Sequence, residues 1–512
     1  MSTGYPKISI SIQSANTVIS NTEQKVLFIG QKVPSGTATS GSLISQIGND
    51  KSWDNLFGAN SMLAGMIRSA RKYNPLSQFD AIALDDNVTA VKATATIDLV
   101  GTATTSGSII FDIISSKDYS FKLDISIAET GTDIATKLVN LINANQNIPV
   151  TASSVATAVT LTADNGGTEC NSFAIAYKGS VTGISTTLTG FASGSNDPVI
   201  TGITNLIGNT RYQAIVSPYV YGTTYLTDLL EPRFNVTNNI LDGVAFVTQT
   251  DTVANIKASA LSKNSKNLVL FANIKVNNDN LKGSIYVEAP YVISSYFASV
   301  RALRLTNNTD ISQYVVTNSP LDSFGGVATA SLPYFNTPAL QLVPCDTSLS
   351  LQDIEIEELS TSGASVFINN ITNTNVIFGE VVMTYKTDVV GNPDISFKYL
   401  NYVDTVVNVR EYMFNNSKKD FAQSRLTDGD LVAYRSINNL QTIRAIYVGY
   451  YDSLSKSNYM LTQAGEDALQ FYKSKLNVTI DMSTGTATVL QEVPIVTQLR
   501  SIVSTFKLTF NI

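Results

Sequence analysis

Adjacent carboxylates at Asp85 and Asp86 are the first candidates for acid–base chemistry in this sequence. A general acid and a general base must both reach one substrate, so their side chains have to converge. Neighbouring side chains on an extended chain point to opposite faces, and these two carboxylates therefore diverge. Asn87 follows them, and Asp and Asn stabilise turns, so we interpret the segment as a turn after a strand.

A second acidic group contains oxygen ligands of the kind that a hard cation binds. Its members are Asp353, Glu355, Glu357 and Glu358. We interpret it as the solvated face of a helix, since charged residues usually cover the outer side of a surface helix. The Asp-Gly-Asp segment at 428–430 lacks the ligand spacing of a calcium loop and is interpreted as a turn. The sequence therefore predicts no metal site.

Neither the glycines nor the single tryptophan form a ligand-binding motif. Gly166, Gly167 and Gly194 are not followed by the Lys-Ser/Thr pair of a phosphate-binding loop. Trp53 lies just before an apolar segment, so we expect it in a core or an interface rather than stacked on a ligand. We expect no cofactor.

Histidine is absent from the 512 residues, which excludes His-dependent triads, His general bases and His-ligated metals. A carbohydrate-active enzyme that uses paired carboxylates stays open, but a non-enzymatic protein is favoured. Charged residues make up 15% of the chain, below the roughly 25% of typical soluble domains. The net charge is −7 and no Lys/Arg cluster occurs, so direct nucleic-acid binding is not expected.

The two cysteines, Cys170 and Cys345, are far apart in sequence. We expect two free buried thiols rather than one disulfide. Residues 1–16 lack the basic segment and apolar run of a signal peptide, and no apolar run has the length of a membrane span. We therefore expect neither secretion nor membrane insertion.

Both ends of the chain carry strands that alternate apolar and polar residues. The apolar positions are Ile8, Ile10 and Ile12 at the start and Phe506, Leu508, Phe510 and Ile512 at the end. A period of two places one face of a strand on a core. Neither strand has a hairpin partner nearby, so each pairs with a distant part of its own chain or with another copy. Strand addition between copies uses main-chain hydrogen bonds, and we predict that these seven residues make intersubunit contacts; pairing of the two ends with each other is the alternative.

The pattern of elements predicts a mixed α+β and α/β chain of several domains. Residues 89–198 are rich in Ser, Thr and short strands, which indicates a β-rich outer domain inserted into a larger fold. Strands and helices alternate from 200 to 305, as in an α/β layer with a mainly parallel sheet. The predicted units are a linking strand at 1–20, part of an inner core domain at 21–88, the insertion at 89–198, an α/β domain at 199–375, an inner domain at 376–490 and a second linking strand at 491–512.

The predicted helices, by residue number, are 62–73, 133–145, 223–234, 252–263, 289–301, 349–359, 403–414 and 461–473. Asn60 or Ser61 is expected to cap the first of them, and Ser350 with Asp353 to cap the helix at 349–359. The predicted strands are 25–29, 80–84, 94–100, 108–114, 119–127, 158–163, 172–177, 212–216, 243–248, 268–274, 365–368, 376–385, 476–482, 486–494 and, in pieces, 496–512.

Five stretches occur in an order that resembles a known family. They are Leu-Phe-Gly-Ala-Asn-Ser-Met-Leu at 56–63, Gly-Thr-Ala-Thr-Thr-Ser-Gly at 101–107, Ile-Val-Ser-Pro-Tyr at 215–219, Asp-Gly-Val-Ala-Phe at 242–246 and Met-Thr-Tyr-Lys-Thr at 383–387. The order, over nearly the whole chain, resembles the contractile-tail sheath proteins of Mu-like bacteriophages.

The resemblance implies a structural subunit that polymerises with itself as stacked six-fold rings around a tail tube. Contraction of such a sheath drives the tube through the host envelope. The implied partners are the tail tube protein and the baseplate and tail terminator or neck proteins. The implied location is the virion, assembled in the host bacterial cytoplasm. A headless tail-like particle and a surface adhesin or S-layer-like protein are the alternatives.

Overall fold

The computed structural model describes residues 24–200, 202–219, 224–231, 243–306, 334–429, 437–456 and 462–496. The first part of the chain contributes three strands and two helices. They are β1 (Lys25–Gln31), β2 (Leu43–Ile44), α1 (Ser52–Phe57), α2 (Met62–Tyr73) and β3 (Gln78–Leu84). The cap of α2 is Ser61, as predicted, because its side chain accepts a hydrogen bond from the backbone amide of Ala64 at 3.1 Å.

Residues 89–198 fold into seven strands around one helix. They are β4 (Lys92–Gly101), β5 (Gly107–Ile113), β6 (Ser120–Ile125), α3 (Gly131–Ala144), β7 (Val150–Val155), β8 (Ala158–Gly166), β9 (Ile175–Gly179) and β10 (Ile184–Ala192). The sequence pattern missed β7 and β10, whose polar Ser and Thr residues lie mostly on an exposed face. Thr130 caps α3 in a capping box with Asp133.

The next segment alternates strands and helices, as the sequence predicts. Its elements are α4 (Ile203–Ile207), β11 (Ala214–Val216), α5 (Thr224–Leu230), β12 (Val244–Asp251), α6 (Val253–Leu261), β13 (Leu268–Asn277), β14 (Leu281–Ser284) and α7 (Pro290–Thr306). The last part of the described chain contains α8 (Asp353–Ser362), β15 (Ala364–Asn369), β16 (Val376–Phe378), α9 (Leu400–Phe421), β17 (Arg425–Leu426), β18 (Ile437–Asn438), α10 (Leu440–Lys456), α11 (Glu466–Lys475), β19 (Asn477–Asp481) and β20 (Thr486–Leu490).

Six strands pair in parallel at the centre of the molecule, in the order β3-β1-β11-β12-β13-β15. Adjacent residues of β1 enter opposite sides of this sheet. Val26 and Phe28 join one hydrophobic cluster with α2 and α7, whereas Leu27 and Ile29 join another with α6 and α8. Helices thus cover both faces of a parallel sheet, and the predicted mixed α/β fold is confirmed.

The inserted strands continue this sheet and add a second one. Strand β14 pairs with β13 on one side and with β9 on the other, and β9, β5 and β6 follow as antiparallel neighbours. Strands β10, β4, β8 and β7 form a separate antiparallel sheet. Residues 89–198 therefore share main-chain hydrogen bonds with the α/β layer.

Two details of the predicted helices are wrong. Helix α8 begins at Asp353, and Gln352 rather than Ser350 or Asp353 is its N-cap, because the Glu355 carboxylate accepts a hydrogen bond from the Gln352 amide at 2.9 Å. Helix α10 was not predicted, since Gly449 and the tyrosines at 447, 450 and 451 weaken its intrinsic helix propensity. Tertiary packing of Ile443, Tyr451 and Leu454 compensates for that weakness.

In the part of the chain that the structure describes, no helix is long and apolar enough to cross a membrane.

Candidate functional site

The seven apolar residues predicted for intersubunit contacts, at 8, 10, 12, 506, 508, 510 and 512, lie outside the described residues. Their pairing stays a prediction. The described chain contains a short hairpin near its end whose strands have no other strand partner among the described residues. Strands β19 and β20 form a two-stranded antiparallel sheet in which Asn477 faces Leu490 and Asp481 faces Thr486.

One face of this hairpin packs on helices. Val478 is buried, and Ile480 and Val489 pack beside it against the apolar cluster of α10 and α11. Thr479 and Thr488 lie on the opposite, exposed face, as a period of two requires. The hairpin is therefore a half-buried sheet with a defined apolar side.

Tyrosine rings anchor the hairpin to its supporting helices. Tyr451 of α10 stacks on Tyr472 of α11, with ring centroids 4.3 Å apart. The Tyr472 hydroxyl donates to Oε1 of Gln491, just after β20, at 2.7 Å. The Tyr451 hydroxyl donates to the Gln463 carbonyl at 2.8 Å. The first bond ties the residue after β20 to α11, and the second ties the segment before α11 to α10.

Within the described residues, β19 and β20 pair only with each other. Among the described residues, each strand therefore has one edge whose backbone amides and carbonyls have no strand partner, and an isolated two-stranded sheet is marginally stable in water. Exposed apolar side chains lie on or beside the hairpin at Phe471, Met482 and Leu490. Open edges next to apolar surface are typical of sheets that accept a strand from another chain.

The adjacent carboxylates of Asp85 and Asp86 make structural contacts. Asp85 is exposed and forms an ion pair with Lys32 at 2.8 Å. The Asp86 carboxylate accepts hydrogen bonds from Gln31 at 2.6 Å, from Asn165 at 3.0 Å and from the Gly166 amide at 2.8 Å. Asp86 thus links β1 to the end of β8 through hydrogen bonds. The sequence pattern alone did not predict this role.

The acidic residues 353, 355, 357 and 358 lie on α8, largely at the surface, and Glu358 forms an ion pair with Lys257 at 2.9 Å. The prediction of a solvated helix face agrees with this placement. Among the described residues, no group of three or more His, Cys, Asp or Glu side chains is placed to hold a metal ion. Asp428 and Gly429 are described, but Asp430 is not, so the turn predicted there is not tested.

The remaining candidates also have structural surroundings. A Cβ atom at Gly194 would lie 2.3 Å from the Gly167 carbonyl, so the glycine permits a close approach of two backbone segments. Trp53 is buried in the main hydrophobic cluster, as expected. Cys170 and Cys345 are both buried and free, and this prediction is confirmed.

Comparison with known proteins identifies a relative with a stated role. No protein-family profile matches the chain. The tail sheath protein of the Mu-like prophage FluMu of Haemophilus influenzae is 23% identical over 411 residues, covering 79% of this chain and 77% of that protein. The chain is a homologue of a Mu-like tail sheath protein. The family resemblance predicted from the sequence is thereby confirmed.

Solved structures of sheath proteins also align with this chain over most of its length. The sheath tail protein of Listeria innocua is 12% identical, with a TM-score of 0.45 and coverage of 92% of both chains. The sheath tail protein of Desulfitobacterium hafniense is 10% identical, with a TM-score of 0.44 and coverage of 96% of this chain and 100% of that one. A chain of the contracted helical sheath of the anti-feeding prophage is 11% identical, with a TM-score of 0.42 and coverage of 99% of both chains.

Proposed function

We propose that this chain is a structural subunit of a contractile tail sheath. The observation that carries the proposal is the similarity to the FluMu sheath protein over 79% of the chain. In this function the chain polymerises as stacked six-fold rings around a tail tube and contracts to drive the tube through the host envelope. It is a component of the virion and has no enzymatic activity.

The open hairpin supports a particular mode of polymerisation. A terminal strand from a neighbouring copy adds to β19 or β20 and continues the apolar face formed by Val478, Ile480 and Val489. The alternating residues at 8, 10 and 12, or at 506, 508, 510 and 512, supply side chains with the required period of two. Such a link joins different surfaces of two copies, and a contact of this kind that does not close produces a helical polymer.

The same linkage suits a sheath that changes shape. Main-chain hydrogen bonds between strands do not depend on the relative position of the remaining surfaces, so a strand link can persist while rings move closer together. The other contacts between subunits repack between two arrangements. The partners in this function are further copies of the chain, the tail tube protein, and the baseplate and tail terminator proteins.

Electron microscopy of the concentrated, purified full chain tests the function. Hollow striated tubes are expected, and co-assembly with the tail tube protein should give a sheath around a tube. Globular particles under both conditions would contradict the proposal and favour an adhesin-like protein. The presence or absence of a DNA-filled head on particles from the source bacterium distinguishes a phage from a headless contractile device.

Matched substitutions test the strand link. Replacing Ile8, Ile10 and Ile12 together by Ser removes the apolar face of the first terminal strand, and tubes should not form although the monomer folds. Replacing Ser9 and Ser11 by Thr alters the other face, keeps it polar and raises its β propensity, so assembly should be unchanged. Normal tubes from the triple Ser variant would refute the strand link while leaving the sheath function intact.

A further inference from the structure

A cleft of about 590 Å³ lies beside α1 and α2, where they meet the inserted strands. Its volume is within the roughly 300–1,000 Å³ of typical binding pockets. Aromatic side chains of Trp53, Tyr119 and Tyr291 line it, together with amides and charged groups. The cleft therefore combines apolar surface with polar groups, as binding sites usually do.

The cleft is positively charged although the chain is acidic. Lys51, Arg68, Arg71 and Lys72 line it, against two carboxyl groups, Asp118 and Glu288. Burial raises the pKa of Glu288 to about 8, which favours the neutral form of this carboxyl group near pH 7.

Two of these cations are held by intramolecular ion pairs. Arg68 pairs with Asp54 at 2.8 Å, and Lys72 pairs with Asp118 at 3.1 Å. Lys51 is exposed and makes no ion pair among the described residues. A positive cleft on a chain with a net charge of −7 is a local feature that attracts anionic groups.

The opposite face of the central sheet carries a complementary surface. Helix α8 packs there through Leu359, in the apolar cluster that does not include α2. Its exposed side chains include Asp353, Ile354 and Glu357, and the Ile354 side chain is 67% exposed. Neither Asp353 nor Glu357 forms an ion pair with any described residue. The helix thus presents an apolar side chain between two unpaired carboxylates.

We propose that helix α8 of one copy docks into the positively charged cleft beside α1 and α2 of a neighbouring copy. Ile354 meets the aromatic wall, and the carboxylates of Asp353 and Glu357 lie near Lys51 and Lys72. Because the two surfaces lie on opposite faces of one subunit, the contact is heterologous and extends from copy to copy. This inference rests on the proposed polymerisation and adds a second contact to the terminal-strand link.

Charge reversal on each side tests the contact. The cleft variant carries Lys51→Glu and Lys72→Glu, the helix variant carries Asp353→Lys and Glu357→Lys, and a third variant carries all four changes. All these side chains are exposed or half-exposed, so folding should persist, which circular dichroism checks. Each double variant should raise the critical concentration for tube assembly roughly tenfold, because two attractions become repulsions at every contact. The fourfold variant should restore it.

A control with the same change in net charge separates docking from general electrostatics. Lys92→Glu with Lys122→Glu reverses two exposed lysines of the inserted strands and should assemble like the unmodified chain. Equal losses in this control and in the cleft variant would overturn the docking proposal, as would a fourfold variant no better than either double variant.

Thiol accessibility gives a second readout that distinguishes this inference from the proposed function. Asn49 lines the cleft and is exposed, so the thiol of an Asn49→Cys variant reports on the cleft. Modification of this thiol by a water-soluble reagent should slow on assembly, because α8 of the neighbour covers the cleft. Tubes with an unchanged modification rate would refute the docking contact alone, whereas a chain that stays monomeric at every concentration would refute both proposals.

Discussion

The guanidinium group of Arg301 meets the carboxylate of Asp404 inside the protein, with 2.5 Å between Nη2 and Oδ1 and 3.1 Å between Nε and Oδ1. Both side chains are almost fully buried. Tyr334 donates its hydroxyl to Oδ2 of Asp404 at 2.6 Å, and Arg301 donates to the Gln213 carbonyl at 2.8 Å. Since Arg301 lies on α7 and Asp404 on α9, this ion pair joins the α/β layer to α9, which packs on α10 through Val409, Met413 and Leu454.

Replacing Asp404 by Asn should destabilise this junction strongly. The substitution keeps the shape of the side chain but leaves the Arg301 charge buried without its counter-ion. Loss of one partner of a buried pair typically costs about 3–5 kcal/mol. Urea denaturation followed by circular dichroism measures the change in the free energy of unfolding.

An exposed ion pair provides the control for that experiment. Asp452 pairs with Lys456 one turn later on α10, where the Lys456 side chain is 70% exposed and that of Asp452 is 37% exposed. Asp452→Asn should change the free energy of unfolding by no more than about 0.5 kcal/mol. Similar effects of the Asp404 and Asp452 substitutions would show that burial does not strengthen the Arg301 pair.

Glu288 should make the stability of the protein fall as the pH rises from about 5 to 8. Its carboxyl group accepts hydrogen bonds from Ser115 at 2.7 Å, Gln341 at 2.7 Å and the Ala289 amide at 3.0 Å. Burial raises its pKa from 4.5 to about 8 in the folded protein. Between these values the unfolded chain loses the proton and the folded chain retains it, so rising pH favours unfolding by up to about 1.4 kcal/mol per pH unit.

Urea midpoints at several pH values, read from Trp53 fluorescence, test the contribution of Glu288. Trp53 lines the same cleft, so its signal follows unfolding of this region. Glu288→Gln cannot titrate, and its midpoint should vary less between pH 5 and 8 than that of the unmodified protein. Identical pH profiles for the two proteins would show that the protonation of Glu288 is the same in the folded and unfolded states.

Two glycines should respond in opposite ways to replacement by alanine. A Cβ atom at Gly131, the first residue of α3, would lie 1.6 Å from the Leu99 carbonyl oxygen. Gly131→Ala should therefore destabilise the inserted strands by about 1–3 kcal/mol. Gly449 lies inside α10 with open space at the Cβ position, so Gly449→Ala should stabilise by up to about 1 kcal/mol. Thermal denaturation of both variants, compared with the unmodified chain, decides the sign of each effect.

The sequence predicted most strands and helices because their patterns are local. The parallel strands are apolar runs bounded by polar turns, and α2 combines an apolar stripe with Ser61 as its cap. Helix α10 escaped prediction because long-range packing of Tyr451 on Tyr472 stabilises it. That contact joins residues that are distant in the sequence, and no local pattern encodes it.

The candidate surfaces were less predictable than the fold. Alternating residues at the chain ends predicted strands that pair with a distant segment or another copy. The hairpin proposed to accept them was recognisable only from the structure, in which β19 and β20 pair with no other strand among the described residues. The positive cleft brings Lys51 and Lys72 close to Asp118 and Glu288, which lie far away in the sequence. Only the packing of α2 against the inserted strands creates this group.

The two thiols should be unreactive in the folded protein. Cys170 and Cys345 are 2% and 7% exposed, and burial raises the pKa of the Cys170 thiol well above its ordinary value. The thiolate is the reactive form, so a water-soluble disulfide reagent should modify neither residue at pH 8. Two equivalents per chain should react after denaturation in urea.

A Ser483→Cys variant serves as the control, because its thiol lies in the exposed turn between β19 and β20. This thiol should react at once in the folded state, which shows that the reagent is active. Rapid modification of the unmodified folded chain would show that one of the buried thiols becomes accessible through local opening.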